Sequence, residues 1–375
     1  MHVRPFVRSL FAMSSIALLF GSAGSAQHST AKPVRGGAPD HKAHQARPIQ
    51  LGVSGGNVGD LANGYCCSGT LGALVTDGRN QFILSNTHVF AGDTVAGGNG
   101  KSAAIGDEIN QAGLIDVGCR YNKDDVVANL SEWADFGAHN IDAAIAKVQA
   151  GDVRSDGAIL EIGTIANTTV AASIGQAVKK SGRTTGLTAS AISGLNATLS
   201  VGYTDECAGN SFTVSYTGQI LIDNKGSRFL NSGDSGSLMV ENTAVNPRAV
   251  GLLYAGSSSI AVANPIDDVL NFFKVQMVGG TASAAGTAAE TGPASTKGLA
   301  AAIAVQERHG RELLSVPGAI GHAVGVGNSP VIKILVQEIT PRAQSAAPRQ
   351  LEGVPVILEE VGEVKGMPFC SKRIR

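Results

Sequence analysis

Short apolar runs separated by turn-forming residues recur along the chain between about residues 50 and 275. Glycine, asparagine or aspartate breaks the pattern between one run and the next, and the chain carries 48 glycines, about twice the usual share. Runs of this length with turn signals between them predict strands of an all-β sandwich or barrel. The predicted strands are 71–76, 82–85, 143–148, 177–180, 197–201, 211–216, 238–240, 249–254 and 260–263.

The charge balance argues against polyanionic partners. The formal net charge is −1, and charged residues make up only 16% of the 375 residues. Basic patches attract nucleic acids and anionic membranes, and this composition indicates no such patch. We therefore expect no nucleic-acid partner. The length is enough for one large or two modest domains with buried cores.

The first residues have the pattern of an export signal. Arg4 and Arg8 precede a mostly apolar stretch over 9–20, and small residues over 24–26 favour cleavage near Ala26. Residues 1–26 are therefore predicted to be a signal peptide of a secreted or periplasmic protein. The apolar part is short for a membrane-spanning helix, so we expect no stable membrane insertion, with a short membrane anchor as the alternative.

Polar or small residues mark two segments outside the predicted domains. Residues 27–48 contain histidines, prolines and basic residues, which predicts a flexible leader or a short pro-segment before a domain over 49–278. His41 and His44 lie there without carboxylates or cysteines in metal-site spacing, so no metal is predicted. Residues 279–297 are rich in Ala, Gly, Ser and Thr and predict a linker.

The last segment, 298–375, predicts a small α+β module. Helix-forming residues occupy 298–314, strand-like runs follow at 319–326 and 331–338 with a turn at 327–329, and a further strand is predicted over 354–361. His309 and His322 are expected to be structural or exposed. The role of the module stays open between substrate docking, cell-wall binding and inhibition in cis.

One stretch in the predicted β domain has the composition of a nucleophile loop: Gly233-Asp234-Ser235-Gly236-Ser237. A serine hydroxyl becomes a good nucleophile when a neighbouring base takes its proton. Glycines on both sides allow a sharp turn, in which the N–H groups of Gly233 and Ser235 can stabilise the oxyanion formed at an attacked carbonyl. Taken alone, the stretch is more typical of a surface turn, and residues earlier in the chain reverse this interpretation.

Suitable partners for the serine precede it in the chain. Of the eight histidines, only His88 and His139 lie in the region leading to Ser235, and His88 ends an apolar strand-like run. Asp142 opens another such run, where a buried carboxylate would need a partner. The order His88, Asp142, Ser235 is that of a known type of catalytic triad.

These segments resemble the chymotrypsin-like serine proteases, nearest the bacterial streptogrisin and alpha-lytic group. The resemblance covers about 65–272 and is carried, in family order, by 68–75, 85–89, 142–146, 180–186 with 194–198, 233–236 and 250–256. It implies two antiparallel six-stranded Greek-key barrels with a catalytic cleft between them. His88 and Asp142 would come from the first barrel and Ser235 from the second, and the activity implied is that of a serine endopeptidase without a cofactor.

The resemblance also implies a site for a polypeptide substrate. Tyr254, Ala255 and Gly256 would pair with the substrate as an edge strand. The residues before the nucleophile would line the primary pocket, with Leu230, Asn231 and Ser232 as the predicted contacts. No acidic residue occurs in this run, so a preference for Lys or Arg is not indicated. Phe229 and Leu230 in this run favour a substrate with an apolar side chain. Arg228 would favour an acidic substrate side chain or, alternatively, point into solvent.

The chain departs from the family pattern in several places. Val89 follows His88 where the family has a bridged cysteine, which leaves Cys67 without its matching partner, and Ser237 replaces a common glycine. No family-type activation terminus follows the leader, so either Lys180 or Arg183 would pair with Asp234. None of these changes removes a triad residue.

Five cysteines are present: Cys66, Cys67, Cys119, Cys207 and Cys370. An exported chain permits disulfides, and the odd number leaves at least one thiol unpaired or paired between chains. A Cys119–Cys207 bridge is one possibility. The sequence leaves three functions open: an active endopeptidase, a catalytically silent binding or adhesion protein on a protease scaffold, and an esterase or transferase that uses the same triad.

Overall fold

The computed structural model describes residues 38–62, 64–92, 102–204, 211–282 and 298–372. Pro39–Arg375 forms one compact unit, to which everything below belongs; of the other unit, Met1–Ala38, only Ala38 is described. The predicted signal peptide, most of the leader and most of the linker lie outside the described residues.

Twenty-one strands and five helices are described in these ranges. The strands are β1 (Val53–Asn57), β2 (Leu61–Ala62), β3 (Tyr65–Leu71), β4 (Ala73–Thr76), β5 (Gln81–Ser85), β6 (Glu108–Asn110), β7 (Val126–Trp133), β8 (Ala144–Val148), β9 (Ala177–Gly182), β10 (Gly186–Thr204), β11 (Ser211–Asp223), β12 (Leu238–Glu241), β13 (Ala249–Gly256), β14 (Ile260–Pro265), β15 (Gln276–Met277), β16 (Ala319–Val326), β17 (Pro330–Val336), β18 (Gln350–Leu351), β19 (Val354–Glu360), β20 (Lys365–Gly366) and β21 (Phe369–Lys372). The helices are α1 (Thr87–Phe90), α2 (Ile266–Phe273), α3 (Leu299–Arg308), α4 (Gly310–Leu314) and α5 (Pro341–Ala346).

The first barrel closes through a strand that bends at one glycine. Only Gly72 separates β3 from β4, so the two act as one bent strand. Starting from it, the antiparallel order β4, β5, β8, β7, β6, β1 leads back to β3 and completes a ring of six. A Cβ atom at Gly72 would lie 1.9 Å from the carbonyl oxygen of Gly236. Glycine is therefore required at the bend, and the bend touches the predicted nucleophile loop.

The second barrel is a ring of six antiparallel strands. Its order is β9, β10, β11, β14, β13, β12 and back to β9, closed because β10 pairs with both β9 and β11. Strand β10 has 19 residues, and its register shifts between Ile192 and Leu199, as expected for a long strand that must bend around a barrel. The predicted pair of six-stranded barrels is confirmed by these pairings.

The C-terminal elements extend the second barrel. Strand β16 pairs with β10, β17 pairs with β16, and β19 runs parallel to β17. Apolar residues of α3 and α5 pack over this sheet, among them Ala302, Val305 and Ala343. The predicted α+β composition of this part is confirmed, whereas its division from the rest as a domain over 298–375 stays a prediction.

Three helices were absent from the expectations. His88, expected at the end of a strand-like run, lies in α1. No element was expected over 341–350, yet α5 begins there because Thr340 Oγ1 accepts the Ala343 N–H at 3.1 Å and Pro341 occupies the first turn. The third is α2, which buries Ile266, Val269 and Phe273 at helical spacing.

The disulfides correct two expectations about the cysteines. Cys66 is bonded to Cys119, so the possible Cys119–Cys207 bridge is wrong. Cys67, expected to lack its matching partner, is bonded to Cys370, which is 303 residues away in sequence. Cys207 lies outside the described residues.

The described part of the predicted leader packs against the β domain. His41 is buried, with its Nδ1 2.7 Å from the Gly52 carbonyl oxygen and its Nε2 2.7 Å from Glu161 Oε2. Within the described ranges no helix is long and apolar enough to span a membrane.

Candidate active site

His88 and Asp142 form a buried pair in the first barrel. His88 lies in the single-turn helix α1 directly after β5, and Asp142 lies two residues before β8, which pairs with β5. His88 Nδ1 is 2.5 Å from Asp142 Oδ2, and the side chains are 5% and 0% exposed. A carboxylate on Nδ1 orients the ring and leaves Nε2 for proton transfer.

The loop that carries Asp142 is fixed through its main chain. The Asp142 carbonyl oxygen accepts hydrogen bonds from Asn86 Nδ2 at 2.7 Å and from Asn264 Nδ2 at 3.0 Å, and its N–H donates to Asn264 Oδ1 at 3.1 Å. Asn264 belongs to β14, so the second barrel holds the Asp142 loop of the first. All three side chains are buried.

A chain of tyrosines approaches Asp142 from the second barrel. Tyr203 Oη lies 2.9 Å from Asp142 Oδ2 and 3.0 Å from Tyr216 Oη. A carboxylate only accepts hydrogen bonds, so Tyr203 donates to Asp142 and Tyr216 donates to Tyr203. Burial, followed by the nearby Asp142 charge, raises the pKa of both phenols, so both remain protonated.

The Ser235 loop adopts a conformation that needs its glycines. Gly233 and Gly236 have φ angles of 96° and 90°, which side chains with a Cβ rarely adopt. A Cβ at Gly236 would also lie 2.2 Å from Ser85 Oγ. The Ser235 carbonyl oxygen accepts the Thr70 N–H at 2.8 Å, which fixes the main chain at Ser235 against the first barrel.

Asp234 is buried beside the nucleophile, and Lys180 supplies its positive charge. Lys180 Nζ is 3.4 Å from Asp234 Oδ2, and both side chains are 0% exposed. The carboxylate also accepts hydrogen bonds from the N–H groups of Thr184 at 2.8 Å and Thr185 at 3.1 Å. Burial lowers the pKa of Lys180, and Asp234 opposes this. Of the two basic residues considered, Lys180 is therefore the one that contacts Asp234.

Arg183 takes a different partner. Its guanidinium forms a bidentate pair with Asp116, with distances of 2.7 and 2.6 Å. Asp116 also accepts a hydrogen bond from Ser54 Oγ at 2.5 Å. Arg183 thus ties β9 to the first barrel.

The Ser235 hydroxyl is bound away from the imidazole. Ser235 Oγ donates to the Tyr254 carbonyl oxygen at 3.1 Å and accepts the Met367 N–H at 3.1 Å. Within the described ranges, the buried His88 Nε2 has no hydrogen-bond partner. His88 lines a cavity of about 230 Å³ together with Tyr203, Pro368 and Cys370. Attack by Ser235 would require its side chain to rotate toward His88.

The predicted substrate residues lie around Met367. Its N–H also approaches the Tyr254 carbonyl oxygen, at 3.2 Å, and β20 pairs antiparallel with β13 at Ala255 and Gly256. Ser232 Oγ is 3.7 Å from the Met367 sulfur. Leu230 is fully buried in the apolar cluster against which Met367 packs. Two further residues have other surroundings: Asn231 donates its N–H to Asp234, and Arg228 is exposed.

One predicted oxyanion donor is engaged. The Gly233 N–H donates to the Met367 carbonyl oxygen at 2.6 Å, whereas the Ser235 N–H makes no bond to this oxygen.

Sequence reasoning missed Tyr203, Asn264 and Met367. For Met367, the two cysteines Cys67 and Cys370 were a usable signal, because a bridge between them places the segment around Cys370 beside β3. For Tyr203 and Asn264 the sequence carries no signal that we recognise.

The described residues contain no group of three or more His, Cys, Asp or Glu side chains placed to hold a metal ion. The arrangement instead contains an oriented imidazole, a serine in a tight loop and one engaged amide donor. These are the parts needed for acyl transfer through a serine.

Comparison with known proteins identifies one family model and several solved structures. The model of the Nal1 C-terminal domain matches residues 131–263, about a third of the chain, including Asp142 and Ser235 but not His88. No curated protein matches the sequence.

The similar solved structures include bacterial proteases. A glutamic-acid-specific serine protease that uses a histidine triad in substrate binding is 18% identical, covers 61% of this chain and 100% of its own, and has a TM-score of 0.42. Thermobifida fusca protease A is 17% identical, covers 62% of this chain and 99% of its own, and has a TM-score of 0.40. The Nocardiopsis protease is 16% identical, covers 60% of this chain and 97% of its own, and has a TM-score of 0.37. The chain is similar to the group that its sequence segments resemble, and its fold is assigned from its own strand pairing.

Proposed function

We propose that this chain is an exported serine endopeptidase. Ser235 attacks the carbonyl carbon of a peptide bond, and His88 takes the hydroxyl proton and then delivers it to the leaving amine. An acyl-enzyme on Ser235 results, which water hydrolyses with His88 again acting as the base. Asp142 holds the imidazole in the tautomer that keeps Nε2 available, and Gly233 N–H stabilises the oxyanion.

The buried contact between His88 Nδ1 and Asp142 Oδ2 carries this proposal. A buried carboxylate needs a partner, and a histidine ring serves best as the base when its other nitrogen is held. The two disulfides support export, since disulfides persist in oxidising compartments.

Two alternatives remain as test outcomes. A silent binding protein would keep the barrels without an activated serine, and an esterase or transferase would use the same acyl-enzyme with another acceptor or substrate. One observation favours a silent protein: Ser235 Oγ donates its hydrogen bond to the Tyr254 carbonyl oxygen and not to His88.

A fluorophosphonate probe tests for an activated serine. We expect mass spectrometry to locate the adduct on Ser235, and expect Ser235→Ala and His88→Ala to remove it. The measurement should include the full chain and a variant that ends at Gly366, because Met367 contacts the hydroxyl. If neither form is labelled, the endopeptidase proposal is wrong. Casein cleavage and the hydrolysis of simple esters are then compared. A peptidase should cleave casein without preferring simple esters, whereas an esterase should prefer the esters.

A further inference from the structure

The C-terminal tail, residues 363–372, crosses the candidate active site from one barrel to the other. Its first strand, β20, pairs antiparallel with β13 of the second barrel, and its last strand, β21, pairs antiparallel with β3 of the first. Residues 367 and 368 lie between these two strands. The tail is thus an added strand on each barrel, with its connection over the cleft.

The tail contacts the catalytic groups as an extended peptide would. Met367 donates its N–H toward the Tyr254 carbonyl oxygen, and its own carbonyl oxygen accepts the Gly233 N–H at 2.6 Å. Its N–H also lies 3.1 Å from Ser235 Oγ. A main-chain carbonyl on an oxyanion donor, with pairing to the edge strand beside it, is the placement of a peptide about to be attacked.

Side-chain packing fixes which residue fills the primary pocket. Met367 packs against the apolar cluster that contains Phe229 and Leu230. The preceding residue, Gly366, lies against the Tyr203 ring, where a Cβ atom would come within 2.5 Å of Cε1. The site therefore accommodates a small residue followed by an unbranched apolar one.

Two features favour retention of the tail. The bond in the reactive position joins Met367 to Pro368, whose nitrogen carries the ring and has no hydrogen. The Cys67–Cys370 disulfide lies across the β3–β21 pair, so the tail is tethered three residues after Met367. A tethered ligand competes at a high effective concentration even when its intrinsic affinity is modest.

We propose that the tail is the cleft's own peptide ligand, with Met367 in the primary pocket, and that it keeps the site latent while bound. The latency of the site rests on the proposed function, whereas the binding of the tail in the cleft does not. The substrate class that follows is an extended peptide with a small residue before a methionine-like one. The full burial of Ser235 agrees with an occupied cleft.

Labelling rates with a fluorophosphonate probe test the block. A variant that ends at Gly366 and the full-length Met367→Asp variant should each be labelled at least about 30-fold faster than the wild type, because a carboxylate is disfavoured beside the apolar cluster against which Met367 packs. Cys370→Ser should give a smaller increase, since the tail stays attached through the main chain. Ile357→Asp is the matched control: Ile357 is exposed on β19, and this variant should behave as wild type. Equal rates for the wild type and Met367→Asp, with Ser235→Ala unlabelled, would overturn the proposal and leave the endopeptidase intact.

Peptide binding tests the ligand without catalysis. A labelled peptide of residues 363–372, with Ser in place of Cys370, is titrated into the Ser235→Ala variant that ends at Gly366. We expect saturable binding, at least about tenfold weaker for the peptide that carries Met367→Asp. If the shortened chain does not fold, the full-length Ser235→Ala and Met367→Asp double variant takes its place. Absence of binding to a folded receptor overturns the proposal even where the labelling succeeds.

Discussion

The phenolic oxygen of Tyr203 lies 2.9 Å from Asp142 Oδ2, the carboxylate oxygen that His88 also contacts. Asp142 is thereby contacted from both barrels. Because Tyr203 comes from β10, the geometry of the pair depends on how the two barrels are joined. This contact can be tested without disturbing the packing of the ring.

Tyr203→Phe should lower kcat/KM about fivefold, because one buried hydrogen bond contributes about 1 kcal/mol and the carboxylate becomes freer to move. Tyr216→Phe is the control, since the Tyr216 hydroxyl contacts Tyr203 and not Asp142. Both are measured in the chain that ends at Gly366, so that the tail does not compete. Equal losses in the two variants would contradict a specific role for the Tyr203–Asp142 bond.

Lys180→Met should destabilise the protein by about 3 kcal/mol, since it leaves the buried Asp234 carboxylate without a countercharge. Activity should fall as well, because Asp234 precedes the nucleophile and accepts the N–H bonds that shape its loop. Chemical denaturation measures the first effect and probe labelling the second. The neighbouring Lys179, whose Nζ donates to the Thr243 carbonyl oxygen instead, supplies the control Lys179→Met, which should cost little. A Lys180→Met variant as stable as Lys179→Met would refute this account.

The barrel strands were predictable, because they depend on local patterns, whereas the triad of His88, Asp142 and Ser235 stays a prediction. Apolar runs such as 249–254 predict strands wherever they occur. The glycines around Ser235 indicate a turn with positive φ angles, which the structure has. The position of β20 was not predictable, since this two-residue strand has no pattern of its own. It is placed by pairing with β13 and by a disulfide that spans 303 residues. Lys180 and Arg183 could not be separated for the same reason: which barrel each faces is a tertiary property.

Acid should weaken the junction between β10 and the C-terminal elements through His322. Burial lowers the pKa of His322 to about 4 from 6.5, and Gln306 Nε2 lies 2.6 Å from its Nδ1, so the ring accepts that hydrogen bond when neutral. Between these pH values the unfolded chain binds a proton that the folded chain does not. Stability therefore falls as pH drops from about 6.5 to about 4, by roughly 2–3 kcal/mol.

Denaturation at pH 7 and at pH 4.5 measures this loss. His322→Asn, which keeps an acceptor near Nδ1, should reduce it. His309→Asn is the control of opposite sign: Glu312 and Glu352 raise the pKa of the partly buried His309, so its contribution is present at low pH and is lost as pH rises. An unchanged pH dependence in His322→Asn would exclude this origin.

Substrate preference should follow the pocket that Met367 occupies. In the chain that ends at Gly366, peptides with Met or Leu before the scissile bond should be cleaved at least about 100-fold faster than those with Lys or Arg, because a charge buried against the apolar cluster that Met367 contacts lacks a partner. A partner for such a charge can be introduced at Ser232. Its hydroxyl is 3.7 Å from the Met367 sulfur, and the residue is only partly buried.

Ser232→Asp should therefore raise the relative rate for Lys and Arg about tenfold, as expected for one partly buried ion pair. Ser232→Asn keeps the size without the charge and should leave the preference apolar. A peptide-library cleavage profile reads both variants at once. If the variant that ends at Gly366 already prefers a charged residue, or if Ser232→Asp does not change the ranking, then Met367 does not mark the primary pocket.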